Sequence, residues 1–450
     1  MPLAVVLILL VVGSILFHLF SPWTFTPLAS NWSMVDFTVD ITLWVTGFVF
    51  VSVNLFMAYS VLRYRHKKGA KANYEPENKK LETWLTLLTA VGVAAMLTPG
   101  LFVWRQFIQV PDDAMVVEAI GQQWHWTYRY PGKDGRFGQV NAERISDDNP
   151  FGIDPEDPHG QDDVLVYNPE AHVPLGRPVK FLLRSKDVLH DFAVAQFRVK
   201  MDLVPGMQTF TWLTPTKIGR FEVLCEELCG IAHFAMRGAV VVEDPEDFNQ
   251  WLAKQPTYAQ EAMAMPGDPA LGAASYAVCA ACHGPQGQGQ VALNAPKLAG
   301  QSPWYLKRQL QDFKAGIRGA HPDDTFGKQM APMAATLADE AAINNVVAYI
   351  GTLPDEPAPA TIEGDVENGR KHYATCAYCH GADGHGIRAT NAPRTAGMSD
   401  WYLQRQISNF KQGIRGSHPK DYYGFQMEMM ASSVVDDQTA NDIIAYIDTL

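Results

Sequence analysis

The feature that most constrains how this chain can fold is a C-x-x-C-H motif that occurs twice within an internal duplication. The two motifs are Cys279-Ala280-Ala281-Cys282-His283 and Cys376-Ala377-Tyr378-Cys379-His380. Residues 279–353 and 376–450 align without gaps, and about half of the aligned positions are identical. In this motif both thiols can bond to a haem, and the adjacent histidine is placed to bind its iron. The duplication therefore predicts two covalent c-type haems and argues against a chance match, a zinc site or a redox pair.

Each repeat also needs a second axial ligand for its haem. Methionine is the natural choice, because a His–Met pair raises the haem potential. The repeats resemble the two halves of dihaem class I cytochromes, and that resemblance favours Met330 and Met427, which share a Gly-x-Gln-Met context. The rival ligands are Met333, Met430, His321 and His418.

Two further cysteines lie in a compact set of soft ligands. The segment runs Cys225-Glu226-Glu227-Leu228-Cys229-Gly230-Ile231-Ala232-His233-Phe234-Ala235-Met236. Two thiolates, an imidazole and a thioether suit copper better than calcium or magnesium. Zinc would also accept cysteine and histidine, and a Cys225–Cys229 disulfide is possible in an oxidising compartment. Neither alternative explains the methionine as well as copper does.

This segment resembles the copper A motif of haem–copper oxidase subunit II, C-x-E-x-C-G-x-x-H-x-x-M, at every fixed position. The resemblance implies that Cys225 and Cys229 bridge two coppers and that His233 and Met236 are terminal ligands. It also implies that Glu227 binds through its main-chain carbonyl. The segment Asp187-Val188-Leu189-His190-Asp191-Phe192 resembles the one that supplies the remaining ligand, His190.

Other segments carry the same resemblance. The run from Gly121 to Tyr130 resembles an aromatic stretch of the family, and Trp124 falls where the family uses a tryptophan to pass electrons to copper. A tryptophan in the core of a strand is the ordinary alternative. Residues 199–206 resemble the segment that faces the catalytic subunit. The resemblance implies a cupredoxin-like β-sandwich over residues 107–246. Short Val-rich and aromatic runs also predict strands there, at Met115–Ile120, Trp124–Tyr130, Val179–Leu183, Arg220–Leu224 and Ala239–Val242.

Three apolar segments open the chain, at about residues 3–20, 41–62 and 84–103. Each approaches the roughly 20 residues that a membrane-spanning helix needs. The first could instead be a signal peptide, but it lacks a basic start, and we expect a retained helix. Basic residues cluster between the second and third segments, which places that loop in the cytoplasm and everything after residue 106 on the periplasmic or extracellular side.

Charge constrains the partners. The formal net charge of −12 argues against nucleic acid and favours basic redox partners. Glu82 lies at the cytoplasmic start of the third predicted helix, where an acidic residue commonly just complements the helix dipole. In the oxidases that this chain resembles, a glutamate here lies at the mouth of a proton-uptake channel.

We therefore expect a multi-domain membrane protein with transmembrane helices, a cupredoxin-like β-sandwich and two all-α cytochrome c domains. The expected divisions are 1–106 (membrane region), 107–246 (copper A domain), 247–268 (linker), 269–353 (cytochrome c domain 1), 354–363 (Pro-rich linker) and 364–450 (cytochrome c domain 2). We expect the second cytochrome domain to extend the reach of the chain toward an upstream donor.

The resemblance implies the subunit through which electrons enter a proton-pumping terminal oxidase of a bacterial inner membrane. Electrons would come from cytochrome c or a quinol–cytochrome c reductase. They would pass through a binuclear copper A centre to oxidase subunit I, with its a-type haems and copper B, and subunit III is a further expected partner. A copper A nitric oxide reductase and a membrane-anchored electron carrier are the alternatives.

Overall fold

The structure is a computed structural model that describes residues 2–21, 25–69, 71, 74, 76–262 and 267–450. It contains an apolar helical region, a β-sandwich and two similar helical units, in that order along the chain. This order confirms the fold class that the sequence predicts.

Three helices form the apolar region: α1 (Pro2–Phe20), α2 (Ser33–Arg63) and α3 (Lys79–Ile108). All three are long and apolar enough to cross a membrane, and they contain the three predicted segments. Helices α2 and α3 have 31 and 30 residues, so they extend about ten residues beyond what one crossing requires.

The outer ends of α2 and α3 are fastened to the β-sandwich. The indole N–H of Trp32, which precedes α2, donates to the carbonyl of Trp212, 2.9 Å away. The indole N–H of Trp212 in turn donates to the carbonyl of Phe107 at the end of α3, also over 2.9 Å. Arg198 of the sandwich pairs with Asp36 of α2 at 2.6 Å. The sandwich therefore lies over the side that the charge pattern assigns to the outside.

The β-sandwich has two five-stranded sheets in the described part of the chain, with strand orders β3-β2-β1-β5-β8 and β4-β10-β9-β6-β7. Strands β1 and β5 pair in parallel, as do β4 and β10, and the other pairs are antiparallel. The strands are β1 (Met115–Gln122), β2 (His125–Tyr130), β3 (Val164–Val166), β4 (Glu170–Pro174), β5 (Val179–Ser185), β6 (His190–Val194), β7 (Val199–Leu203), β8 (Thr209–Leu213), β9 (Gly219–Leu224) and β10 (Arg237–Glu243).

Aromatic and branched side chains fill the space between the two sheets. Trp126 of β2 meets Phe192 of β6 edge to face, with ring centroids 5.7 Å apart, and Phe181 of β5 lies 5.1 Å from Phe192. All three are completely buried. Such packing holds the loops at one end of the sandwich on a rigid frame.

Two short helices, α4 (Pro245–Leu252) and α5 (Tyr258–Ala262), follow the sandwich; α4 begins two residues before the predicted linker 247–268, and α5 lies within it. Trp251 of α4 stacks on His172 with ring centroids 3.9 Å apart, and the amide of Tyr258 donates to the carbonyl of Asp163 at 2.8 Å. Residues up to 262 are thus attached to the sandwich, and residues 263–266 of the predicted linker lie outside the described residues.

The two helical units repeat the same helix order. The first has α6 (Pro269–His283), α7 (Pro303–Lys314), α8 (Thr325–Ala335) and α9 (Glu340–Ile350); the second has α10 (Val366–His380), α11 (Asp400–Lys411), α12 (Tyr422–Ala431) and α13 (Asp437–Ile447). In each, the helix with the C-x-x-C-H motif packs on the last helix, α6 on α9 and α10 on α13.

Matching residues of the two units bond across a shared interface. Arg308 of the first donates to Asn391 of the second at 3.0 Å, and Arg405 of the second donates to Asn294 of the first at 2.6 Å. These pairs occupy equivalent positions, so the units are related by an approximate two-fold axis. In the segment between the units, Asp355 pairs with Lys297 at 2.8 Å and also with Arg394.

Candidate copper and haem sites

The six predicted copper ligands come from two loops at one end of the sandwich. His190 begins β6, and the other five lie in the loop between β9 and β10. Cys229, Met236 and His190 are almost fully buried, with exposed fractions of 2%, 1% and 0%. Because His190 lies on a strand of the packed sandwich and the other loop joins two strands, the frame restrains where these donor atoms lie.

The donor atoms converge on the two thiols. The sulfurs of Cys225 and Cys229 are 3.7 Å apart, which is much longer than a disulfide of about 2.05 Å. The Cys225 sulfur lies 3.9 Å from His190 Nδ1 and 3.2 Å from the Glu227 carbonyl. The Cys229 sulfur lies 3.4 Å from His233 Nδ1 and 3.8 Å from Met236 Sδ. Each thiol therefore has its own pair of additional donors.

Hydrogen bonds set the protonation of this cluster. The hydrogen bond from Cys229, followed by that from His190, lowers the pKa of Cys225, while the same thiol pairing and burial raise the pKa of Cys229. Burial alone would lower the pKa of His190, but its hydrogen bonds to Asp187 and Cys225 raise it. Cys225 is thus the thiol of the pair that loses its proton more readily, and the thiolate is the form that binds metals.

Asp187 and Gln123 also contribute to this site, although the sequence analysis assigned neither of them a role. Asp187 accepts a 2.8 Å hydrogen bond from His190 Nε2, which leaves His190 Nδ1 directed at Cys225. A carboxylate on the outer nitrogen of a ligating histidine fixes the ring and its tautomer. Asp187 also accepts from the amide of Gln123 at 2.6 Å. Its spacing of three residues before His190 was the available signal.

Trp124 lies beside the copper-ligand loop, immediately before β2 rather than inside it as the sequence predicts. Its indole N–H donates to the carbonyl of Cys229 at 3.2 Å, and Gln123 Nε2 donates to the same carbonyl at 2.7 Å. Gly230 permits this approach, since a Cβ there would stand 2.8 Å from Gln123 Nε2 and 3.0 Å from Trp124 Cζ2. The tryptophan therefore touches a predicted ligand residue directly.

The haem-attachment histidines lie in equivalent settings. His283 Nδ1 donates to the carbonyl of Pro296 at 2.7 Å, and His380 Nδ1 donates to that of Pro393 at 2.8 Å. Burial lowers the pKa of both histidines. Each ring is therefore kept neutral with Nε2 free, which is the state that binds iron.

One continuous cavity runs beside both attachment motifs. It is lined by His283 and Met330 of the first unit and by His380, Met427 and Met430 of the second. Met333 does not line it and is 37% exposed. The rival ligands His321 and His418 line a different pocket, where the two units meet.

Glu82 lies in the first turn of α3 and is exposed. Asn78 caps this helix by accepting from the amide of Leu81 at 3.0 Å. The structure thus leaves the Glu82 carboxylate at the end of α3 away from the sandwich.

The second helical unit lies against the sandwich, which differs from the expectation that it reaches outward. The ring of Tyr378 packs on that of Trp124 with centroids 5.3 Å apart. Asn391 Nδ2 donates to the carbonyl of Tyr167 at 2.8 Å, and Arg388 pairs with Glu261 of α5. These contacts depend on tertiary placement, which residue spacing does not reveal.

These features define a membrane-anchored electron-transfer protein with a copper-binding sandwich and haem-binding helical domains. Residues 115–244 match the family model of the cytochrome c oxidase subunit II periplasmic domain. Residues 269–354 and 366–450 match that of cytochrome c. The chain is 58% identical over 259 residues to an alternative cytochrome c oxidase subunit 2 of Bradyrhizobium diazoefficiens, covering 58% of this chain and 94% of the relative. The chain belongs to the cytochrome c oxidase subunit 2 family.

Two solved structures show local similarity. The periplasmic domain of subunit II of a cytochrome oxidase from Bradyrhizobium japonicum is 30% identical, covers 32% of this chain and 95% of that chain, and has a TM-score of 0.24. Reduced recombinant cytochrome c4 from Pseudomonas stutzeri is 25% identical, covers 41% of this chain and 100% of that chain, and has a TM-score of 0.34.

Membership in the family defines the role of the chain. Electrons enter a terminal oxidase through it, and subunit I of that complex is its partner. Its domain types are those that carry copper A and haem c. The protein is anchored in a membrane and its copper domain is periplasmic.

Proposed function

We propose that the chain holds a binuclear copper A centre with His190, Cys225, Glu227, Cys229, His233 and Met236 as ligands. The observation that carries this proposal is the convergence of the other four donors on two thiols 3.7 Å apart. The set contains two thiols, two imidazoles, a thioether and a carbonyl, and such soft donors favour copper. When bound, the copper pair would accept and release single electrons.

The protein contributes to this chemistry by holding the ligands in a rigid arrangement. His190, Cys225 and Cys229 form a buried cluster at one end of a packed sandwich, and Asp187 fixes the orientation of His190. Ligands that are already in place require little reorganisation when the charge of the site changes. Trp124 contacts Cys229 at the edge of this cluster, and we assign it to electron transfer toward the copper site.

We further propose two haem c groups, one per helical unit. Cys279, Cys282, His283 and Met330 would hold the first, and Cys376, Cys379, His380 and Met427 the second. The fit is supported by neutral histidines with a free Nε2 and by methionines in the same cavity. The proposed domains follow the predicted divisions, with copper A in 107–246 and haem c in 269–353 and 364–450.

The chain would deliver electrons from cytochrome c or a quinol–cytochrome c reductase to the a-type haems of subunit I, which also holds copper B and reduces oxygen to water. We place the complex in a bacterial cytoplasmic membrane, with subunit III as a further partner. Proton translocation belongs to this proposal, and Glu82 would stand at the mouth of a proton-uptake channel.

The proposal is tested by purifying the intact complex from its native membrane and assaying consumption of oxygen and of nitric oxide with reduced cytochrome c. Metal content and haem type are recorded on the same sample. We expect cyanide-sensitive oxygen uptake, a-type haem in the partner, and copper in both subunits. Nitric oxide consumption with non-haem iron in the partner would contradict the proposed reaction, and a preparation without any catalytic partner would contradict the oxidase assignment.

A further inference from the structure

We propose that the second haem domain, residues 364–450, is the internal electron donor to the copper site, and that Tyr378 couples the two. The first haem domain, residues 269–353, is then the outer one, where the external donor delivers electrons. This inference rests on the proposed copper and haem sites and adds the order in which they act.

The attachment motif of the second domain touches Trp124 in two ways. The ring of Tyr378, which lies between the two haem-binding cysteines, packs at 5.3 Å on that of Trp124. The main-chain amide of Trp124 also faces the sulfur of Cys379, one of the two atoms that would carry the haem. Because Trp124 donates to the Cys229 carbonyl, this tryptophan connects a haem-bearing sulfur to a copper ligand.

A second contact joins the copper-ligand loop to the other wall of the haem crevice. The short helical turn His233–Ala235, which includes a predicted copper ligand, packs on α12. Helix α12 carries Met427, and Ile231 of the copper loop lines the same cavity as Met427 and Met430. The copper-ligand loop therefore borders the crevice of the second haem domain on the methionine side as well.

The two repeats differ at the positions that make these contacts. Ala281 of the first motif corresponds to Tyr378 of the second, and it is exposed. Val291, which is 61% exposed, corresponds to Arg388, which pairs with Glu261. The second repeat thus has an aromatic and a charged side chain where it meets the copper domain, and the first repeat has neither at the equivalent positions. Only the second repeat has the side chains for this interface.

In the first repeat, the face that corresponds to this interface is exposed to solvent. Cys282 is exposed, whereas its counterpart Cys379 is partly covered by the copper domain. Leu293 is 48% exposed, whereas its counterpart Thr390 is only 5% exposed. An external haem protein can therefore approach the first attachment motif by the face with which the second repeat meets the copper domain.

Trp124 itself is closed to an external donor. Only 5% of its surface is exposed, with Tyr378 packed against it. The two haem crevices share one cavity across the interface of the repeats, so the first domain can pass electrons to the second. Each transfer moves one electron from the reduced group to the oxidised one, with no bond made or broken and no proton moved.

The test compares three variants in the intact, haem- and copper-loaded complex: Tyr378→Ala, Tyr378→Phe and Ala281→Tyr. Haem and copper spectra first establish that each variant is loaded. Deuterium exchange of residues 225–236 and 376–380 then reports opening of the contact, and flash reduction of the haems reports the rate of electron arrival at copper. The exchange measurement does not depend on oxidase activity.

We expect Tyr378→Ala to raise exchange at the contact by up to about tenfold, because an aromatic pair contributes up to roughly 1.4 kcal/mol. Haem-to-copper transfer should slow in the same variant. Tyr378→Phe keeps the ring and should behave like the native protein, and Ala281→Tyr should leave internal transfer unchanged. Unaltered exchange and transfer in Tyr378→Ala would overturn the inference, as would equal slowing by Ala281→Tyr. Absence of copper or haem signals in the native chain would instead overturn the proposed function.

Discussion

The Sγ atoms of Cys225 and Cys229 lie 3.7 Å apart, and each faces the Nδ1 atom of a different histidine. These side chains would hold the proposed copper pair, with the two sulfurs at the centre of the ligand set. The Glu227 carbonyl oxygen lies 3.2 Å from the Cys225 sulfur, and Met236 Sδ lies 3.8 Å from the Cys229 sulfur. The chain therefore presents two adjoining donor sets in one buried cluster.

The carboxylate behind His190 should tune the affinity for copper. In Asp187→Asn the acceptor on His190 Nε2 is neutral, so the ring is less firmly oriented and a weaker ligand. Loss of such a partner commonly reduces metal affinity by about 10–100-fold. Competition with a copper chelator, using the full chain in detergent, measures this change. Asp147→Asn, which removes only the surface pair with Lys186, is the matched control and should bind like the native chain.

The approach of Trp124 to Cys229 requires glycine at position 230. In Gly230→Ala the new Cβ meets Gln123 and Trp124 at 3.0 Å or less, and its φ of 125° is already unfavourable for alanine. Strain of this kind costs about 1–3 kcal/mol. Gly135→Ala has a φ of 70° with open space around the Cβ, so it separates backbone strain from the clash. Urea unfolding should show the larger loss of stability in Gly230→Ala; equal losses would contradict the steric argument.

Two equivalent asparagines should differ in their importance. Asn294 and Asn391 each accept from an arginine of the other haem unit, and each has a φ near 55°. Only Asn391 also donates to the Tyr167 carbonyl of the copper domain. Asn391→Ala should therefore cost about 1 kcal/mol more than Asn294→Ala, the usual net value of one hydrogen bond. Chemical unfolding of both variants measures the difference, and exchange at residues 164–167 should rise only in Asn391→Ala.

Asp448 should make the second haem domain more stable in acid than at neutral pH. Burial, and then the nearby charge of Asp400, raise the pKa of Asp448 to about 6. Because an unfolded aspartate has a pKa of about 3.9, the folded state binds the proton more tightly. The resulting stability is fully present below pH about 3.9 and is lost as the pH rises through about 6.

Asp448→Asn removes this dependence, because the amide stays neutral. The variant should be more stable than the native chain at pH 8, and the advantage should vanish near pH 4. Urea unfolding at both pH values measures it, with the exposed Glu363→Gln as control. An advantage of equal size at both pH values would contradict the assigned titration.

The spacing of residues along the chain was sufficient to predict most of the proposed ligands. Five copper ligands lie within one loop and both haem motifs are continuous, so their sequence order alone brings them together. His190 comes from another strand, and it was found only through resemblance to a family segment. Asp187 and Gln123 act through hydrogen bonds between loops, which periodicity does not encode.

The sequence predicted the strands and the relative positions of the domains less completely than the ligands. The Val-rich and aromatic runs predicted β1, β2, β5, β9 and β10, whereas β3 has only three residues and β6 to β8 have mixed polarity. Most of helix α4 lies in a predicted linker because Trp251 stacks on His172 of the sandwich. The position of the second haem domain against the sandwich depends on the contact between Tyr378 and Trp124. These two residues are far apart in sequence.

Electron paramagnetic resonance of the oxidised full chain, combined with a copper count, distinguishes a binuclear copper centre from a site with a single metal ion. The ligand arrangement predicts two copper ions bound through Cys225 and Cys229, and a hyperfine pattern in which one unpaired electron is shared by two copper nuclei. Cys225→Ser and Cys229→Ser should each abolish that pattern while both haems stay attached. A pattern from a single copper nucleus, or zinc in place of copper, would contradict the binuclear site.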